Sequence, residues 1–142
     1  MTDVFDLALV NAGLDLLRAD SALTVYDGAV PNPAPPYPTP PPYVLVYSTV
    51  AWPADDDTIG SLDGRSRRLV ARWICHCVGE TQQASREVAQ RVRAAMLDAR
   101  PQVSGLQPGF IRDEQDDPPA RDETTGVVVF DAVHVYRLNA VL

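Results

Sequence analysis

One segment constrains this chain more than any other: at residues 68–100 a run of strand character turns through a single Gly-Glu-Thr corner directly into an amphipathic helix, RLVARWICHCVGETQQASREVAQRVRAAMLDAR. Alternation along the strand, read as 68–78, places Ala71, Trp73, Cys75 and Cys77 on one face and Val70, Ile74, His76 and Val78 on the other. Both faces are therefore expected to be at least partly covered. Thr81 is placed to cap the helix, whose inner stripe reads Ala84, Val88, Val92, Ala95 or Met96, and Ala99, with Pro101 just past its end. About eighteen residues at 1.5 Å each give roughly 27 Å, enough to cross a four-stranded sheet. Bulky strand faces and a small-residue helix stripe describe a segment made to pack.

The flanking chain supplies the other elements. Thr2 is placed to cap a helix over residues 3–19, with Asp3 and Asp6 at the positive end of its dipole. Wound at about 100° per residue, it carries two apolar arcs. Phe5, Ala8, Leu9, Ala12 and Leu16 form one, and Leu7, Val10, Leu14 and Leu17 the other, with Asp6 and Gly13 dividing them on one side. A helix on the rim of a monomer has one apolar stripe, so two imply either a second helix of the same chain or a neighbouring subunit. Residues 23–26 read as a strand closed by an Asp-Gly turn, and 43–48 as another. Between them, residues 31–42 hold eight of the thirteen prolines, a stiff extended spacer whose P-x-x-P spacing has no flanking basic residue to orient it in an SH3-type groove. Residues 50–64 form a polar loop with Asp55, Asp56 and Asp57 at its tip; without the alternate spacing of an EF-hand they read as solvated. A strand at 105–112, an acidic loop at 113–125 and a strand at 126–138 complete the chain, the two strands pairing as a hairpin. No repeat or long linker divides it, so residues 1–142 are expected to form a single domain.

Composition excludes more than it suggests. All twelve basic residues are arginine, which removes P-loop and Schiff-base lysine chemistry. Nineteen acidic residues bring the net charge to −7, against the basic surface that phosphate binding needs. No apolar run reaches the roughly 20 residues of a membrane helix, and the acidic start of MTDVFDLALV is unlike a signal peptide. A protein made and used in the cytoplasm, or in a particle assembled there, is expected. Cys75-His76-Cys77 is the one cluster of soft ligands, but the strand turns His76 away from both thiols and no fourth ligand is near, so no metal or cofactor is expected. A thiol protease drawn from His134, Asp131 and either cysteine fails because the thiols lie inside a regular strand, without exposure or an oxyanion hole. The expectation is a protein that is not an enzyme.

Four phrases in this order, VYDGAVP (25–31), PYVLVY (42–47), ICHCVGETQQASREVAQRVRAAMLD (74–98) and FDAVHVYRL (130–138), resemble the tail terminator, or tail completion, proteins of long-tailed bacteriophages. The proline run is longer than the loop associated with that family. With the order α-β-β-β-α-β-β, the resemblance implies an α+β fold: a single mixed, mainly antiparallel sheet of four to five strands with two helices packed on it. It also implies a virion protein of the head–tail junction, assembled in the host cytoplasm, whose six copies close into a ring. Such a ring caps the tail tube, ends tube polymerisation and offers the head a docking surface. The partners implied are the chain itself, the tail tube protein and a head completion or connector protein, while DNA passes through without specific binding. On this reading Leu7, Val10, Leu14 and Leu17 contribute to the subunit interface. Asp55, Asp56, Asp57, Asp116 and Asp117 sit on loops facing the lumen or a partner. The alternatives are a head–tail connector subunit of the same particle and a small adaptor presenting its proline segment.

Overall fold

The computed structural model describes residues 2–31, 39–52, 68–124 and 126–142, with side chains from Phe5 onward. The side chain of Thr2, on which the expected cap depends, most of the proline spacer and the loop bearing Asp55, Asp56 and Asp57 lie outside what is described. In chain order the elements are α1 (Thr2–Arg18), β1 (Val25–Asp27), β2 (Tyr43–Ala51), β3 (Arg68–Gly79), α2 (Gln82–Met96), β4 (Gln107–Pro108), β5 (Arg112–Asp116), β6 (Ala120–Asp122) and β7 (Val129–Val141). All seven described strands join one sheet. Its order is β1-β2-β3-β7-β4, with β5 and β6 also paired to β7. β1 runs parallel to β2 and every other pairing is antiparallel.

The expected α+β class holds, and the sheet is five strands wide. The count reaches seven because the strip beside β7 is broken into three short pieces. Pro108 and Gly109 separate the first break, and Pro118-Pro119 the second, since proline cannot donate to a ladder and is confined to edges. The acidic stretch expected as a loop is therefore largely strand, because β7 is long enough to pair with it along its length. A broken edge is also a poor template for uncontrolled strand addition.

β3 and β7 form the spine, in register from Arg68 opposite Val141 to Gly79 opposite Phe130. The inner face carries the core: Leu69, Ala71, Trp73, Cys75 and Cys77 from β3 and Ala132, Tyr136, Leu138 and Ala140 from β7 are buried. Both helices pack on this face, with Leu9, Leu14 and Leu17 of α1 and Val88, Ala89, Val92 and Met96 of α2 in the same core. The Thr81 hydroxyl caps α2 by accepting from Ala84 N at 3.0 Å, as expected. Its buried seam includes Ser85 and Ala89, and Ser85 Oγ donates to the Cys77 carbonyl at 2.7 Å. α2 stops at Met96, so Ala99 packs against the core from beyond the helix.

α1 departs from the expected pattern. Gly13, expected to divide two apolar arcs, lies at the centre of the seam, because Trp73 rises against it and its Nε1 donates to the Val10 carbonyl at 3.3 Å. Asp6 lies at the packed side too, accepting from Trp52 Nε1 at 2.8 Å. The two arcs thus flank one seam. Leu14 and Leu17, expected at a subunit interface, are fully buried in the protomer's own core, and Val10 packs against it, while Leu7 remains 64% exposed. A core side chain has no surface left to offer a neighbour, so Leu14 and Leu17 do not form the expected subunit interface.

A Cβ at Gly13 would sit 2.2 Å from the Trp73 ring. Replacing glycine by alanine inside a helix gains about 1 kcal/mol of propensity, but overpacking a tight core costs about 1–3 kcal/mol. With so close an approach the second effect wins. Gly13→Ala is expected to lower stability by about 1–2 kcal/mol, read as a lower urea midpoint at unchanged slope; a raised midpoint would contradict the seam.

Candidate functional site: the uncovered sheet face

Because both helices lie on one side, no described helix or strand covers the other. That outer face carries Tyr43, Leu45, Tyr47 and Thr49 from β2, Val70, Arg72, Ile74, His76 and Val78 from β3, and Asp131, Val133, Val135 and Arg137 from β7, in rows fixed by the register. Antiparallel sheets that face water on one side usually alternate cleanly between apolar and polar. This one does not. Val70, Val78 and Val135 are buried among their neighbours, Leu45, Ile74, His76 and Val133 are half-buried, and Tyr47 is exposed.

At one end the face deepens into a groove of about 760 Å³. Tyr43, Leu45, Tyr47 and Val78 form its floor, Val127–Val129 and Pro40-Pro41 flank it, and Glu80, Asp122 and Asp131 supply carboxylates. His76 Nδ1 lies 2.8 Å from Asp131 Oδ2, and its ring meets Tyr47 edge to face at 5.6 Å. The bond to Asp131 raises the His76 pKa above its ordinary value, against the opposing effect of burial. Tyr43 is also raised, first by burial and then by Asp131 and Asp122. At the other end Arg72 and Arg137 stand opposite each other, an unfavourable like-charge pair. Glu114 relieves it, accepting from Arg72 at 2.8 and 3.2 Å and lying 3.8 Å from Arg137.

A second polar cluster lies on the inner face, at the margin of α2. The register shifts between Asp113 and Gln115, and this bulge resets the alternation so that Asp113 and Asp116 both face the helix. Arg93 of α2 reaches both, at 3.5 and 3.6 Å. His134 Nδ1 is 2.7 Å from Asp116 Oδ1, an ion-pair distance without hydrogen-bond alignment. Asp113 is pushed up to about 6, first by burial and then by the Asp116 carboxylate, against the lowering pull of Arg93. Asp116, expected on a lumen loop, therefore ends a strand, 2.7 Å from His134 and 3.6 Å from Arg93. Asp117 follows it at the surface, accepting from Gln115 Nε2 at 2.8 Å.

The cysteines stand where the sequence placed them, inward and apart from His76. Cys75 lies opposite His134 in register, but its thiol donates to the Trp73 carbonyl at 3.9 Å and burial pushes it up to about 12. Burial raises Cys77 as well. Both thiols are therefore held protonated near neutral pH, the opposite of what a nucleophile or metal ligand needs. Asp131 serves His76, and His134 faces Asp116, so the histidine–carboxylate pairing drawn from sequence is exchanged. Among the described residues no three or more His, Cys, Asp or Glu side chains converge as metal ligands. No described helix is long and apolar enough to cross a membrane. Sequence reasoning missed Asp113, Arg93 and the groove itself; only the β3–β7 register and the bulge bring those residues together.

No family model matches the chain, and no curated protein does. Among solved structures, a chain from the virion of a native gene transfer agent (GTA) particle superposes with a TM-score of 0.66 at 18% identity, covering 93% of each chain. A second solved protein, 17% identical, superposes with a TM-score of 0.61 over 100% of this chain and 96% of its own. At such identities the likeness is one of fold.

The two polar clusters act in the same direction on the pH dependence of stability, each losing stability as pH rises, but in different windows. A raised histidine pKa stabilises the fold fully below about pH 6.5 and loses that stabilisation as pH rises through the folded value. Asp131→Asn should lower the His76 midpoint in an NMR titration; an unchanged midpoint would contradict the pairing. A raised carboxyl pKa means that the folded state holds its proton longer, so the Asp113 contribution falls as pH rises from its ordinary 3.8 to about 6. Between those limits the wild type should lose stability relative to Asp113→Asn, measured by urea denaturation at each pH; parallel curves would contradict the assignment.

Proposed function

We propose that this protein is a structural virion protein of a phage or phage-like particle. Six copies form a ring that caps the tail tube, ends its polymerisation and offers the docking surface for the head. The observation that carries the proposal is the fold shared end to end with a chain of the GTA virion. Three features of the chain support it: the ordered tail-terminator phrases, an apolar sheet face that no described helix or strand covers, and a net charge of −7. Tyr47, Val127 and Val128 are exposed at the groove on that face, and apolar side chains exposed together on a small soluble protein mark an interaction site. A negative lining lets a duplex slide where a basic one would hold it. In this reading the protein has no catalytic task and resides at the head–tail junction. It meets other copies of itself, the tail tube protein and a head completion or connector protein, and DNA passes through unbound.

Of the four α1 residues first assigned to the subunit contact, Leu7 keeps a side chain exposed enough to reach a neighbour. Of the acidic residues expected at the lumen, Asp117 is more available than Asp116, whose carboxylate lies 3.6 Å from Arg93 of the same protomer. Particles assembled without this protein should carry tubes of unregulated length with few heads attached, counted in electron micrographs, and supplying the protein should restore both. Tails of normal length joined to heads in its absence would contradict the proposal.

A further inference from the structure

We infer that the groove on the open sheet face receives, from a second copy of this chain, the Phe110 side chain with the two arginines that flank it. The inference rests on the ring reading above and names its contact. The groove is apolar at its floor and acidic around it, with Glu80, Asp122 and Asp131 among its lining. Asp131 Oδ2 is bound to His76 and its Oδ1 is itself buried, so the carboxylates open to an incoming cation are the exposed Glu80 and the half-buried Asp122. Such a site fits an aromatic group accompanied by cationic donors.

The same chain presents that combination elsewhere. Phe110, between β4 and β5, is 49% exposed, and the guanidinium groups of Arg100 and Arg112 lie 5.6 and 5.4 Å from its ring centre. Arg112 is otherwise paired with Asp98, and both are well exposed, a surface pair worth little and readily exchanged. Aromatic residues with arginine are the side chains most often found at the energetic centre of interfaces.

Knob and groove cannot meet within one protomer. Phe110 lies beside the Asn139 end of β7, where Gly109 N donates to the Asn139 carbonyl, whereas the groove centres on Asp131. Eight strand residues at about 3.3 Å each separate the two ends by roughly 26 Å. Two complementary but different patches make a head-to-tail contact, the kind that closes rings when the rotation sums to a full turn.

The test places photoreactive benzoyl-phenylalanine at position 110 of the full chain and irradiates a mixture of isotopically light and heavy protein. Cross-links between copies should run from position 110 to residues 43–47 or 127–129. Arg100→Glu with Arg112→Glu should cut their yield by roughly tenfold, about 1.4 kcal/mol, and adding Glu80→Arg to that variant should recover much of it, with circular dichroism confirming that each variant is folded. Cross-links to another surface, or a yield indifferent to the charge reversals, would overturn this pairing and leave the ring standing. No cross-links, in samples whose native mass is that of a monomer, would overturn both.

Discussion

Two helices can cover only one face of a sheet this wide when both are drawn to the same side, and here Trp73 draws the first of them. Its indole rises from the middle of β3 against the backbone of α1 at Gly13, with its N–H satisfied by the Val10 carbonyl. α2 is drawn to the same side by the short corner at Gly79, where a Cβ would meet the Ser85 amide at 2.3 Å. The shortness of that corner leaves the helix little choice of side. What remains outside is a sheet face with apolar rows and an acidic groove, over which no described helix or strand lies.

Local rules carried much of this architecture. The strand-corner-helix block, the Thr81 cap, the inward thiols and the long final strand were legible because each rests on period, capping or turn chemistry within a few residues. The α+β class came with the family resemblance that their order and phrases carry. The errors are equally physical. Gly13 looked like a gap between apolar arcs because an empty side chain gives no hydropathy signal, although it marks the closest approach of two elements. Leu14 and Leu17 looked like candidates for a neighbour because a sequence cannot show how far a bulky tryptophan reaches from the sheet. The acidic stretch looked like loop because its residues are poor strand formers, and pairing with β7 overrode that preference.

The candidate site was the least legible part. His76, Asp131, Tyr43 and Tyr47 come from three separate strands and meet only through the register. Asp113 and Asp116 are three residues apart, a spacing that sends regular strand residues to opposite faces, and a bulge brings them together. No motif records a bulge. The polar clusters are structural in character: they relieve cross-strand repulsion, tie α2 to the broken edge and set the charge of the groove. The buried thiols, held protonated, add packing and no reactivity.

On the proposed reading, the exposed chemistry of this chain serves recognition between protein surfaces. Native mass spectrometry of the intact chain over a wide concentration range tests that claim most directly. A closed species of six subunits, growing with concentration and followed by no larger members, is the predicted result. A monomer at every concentration, or an unbounded series of multimers, would contradict it.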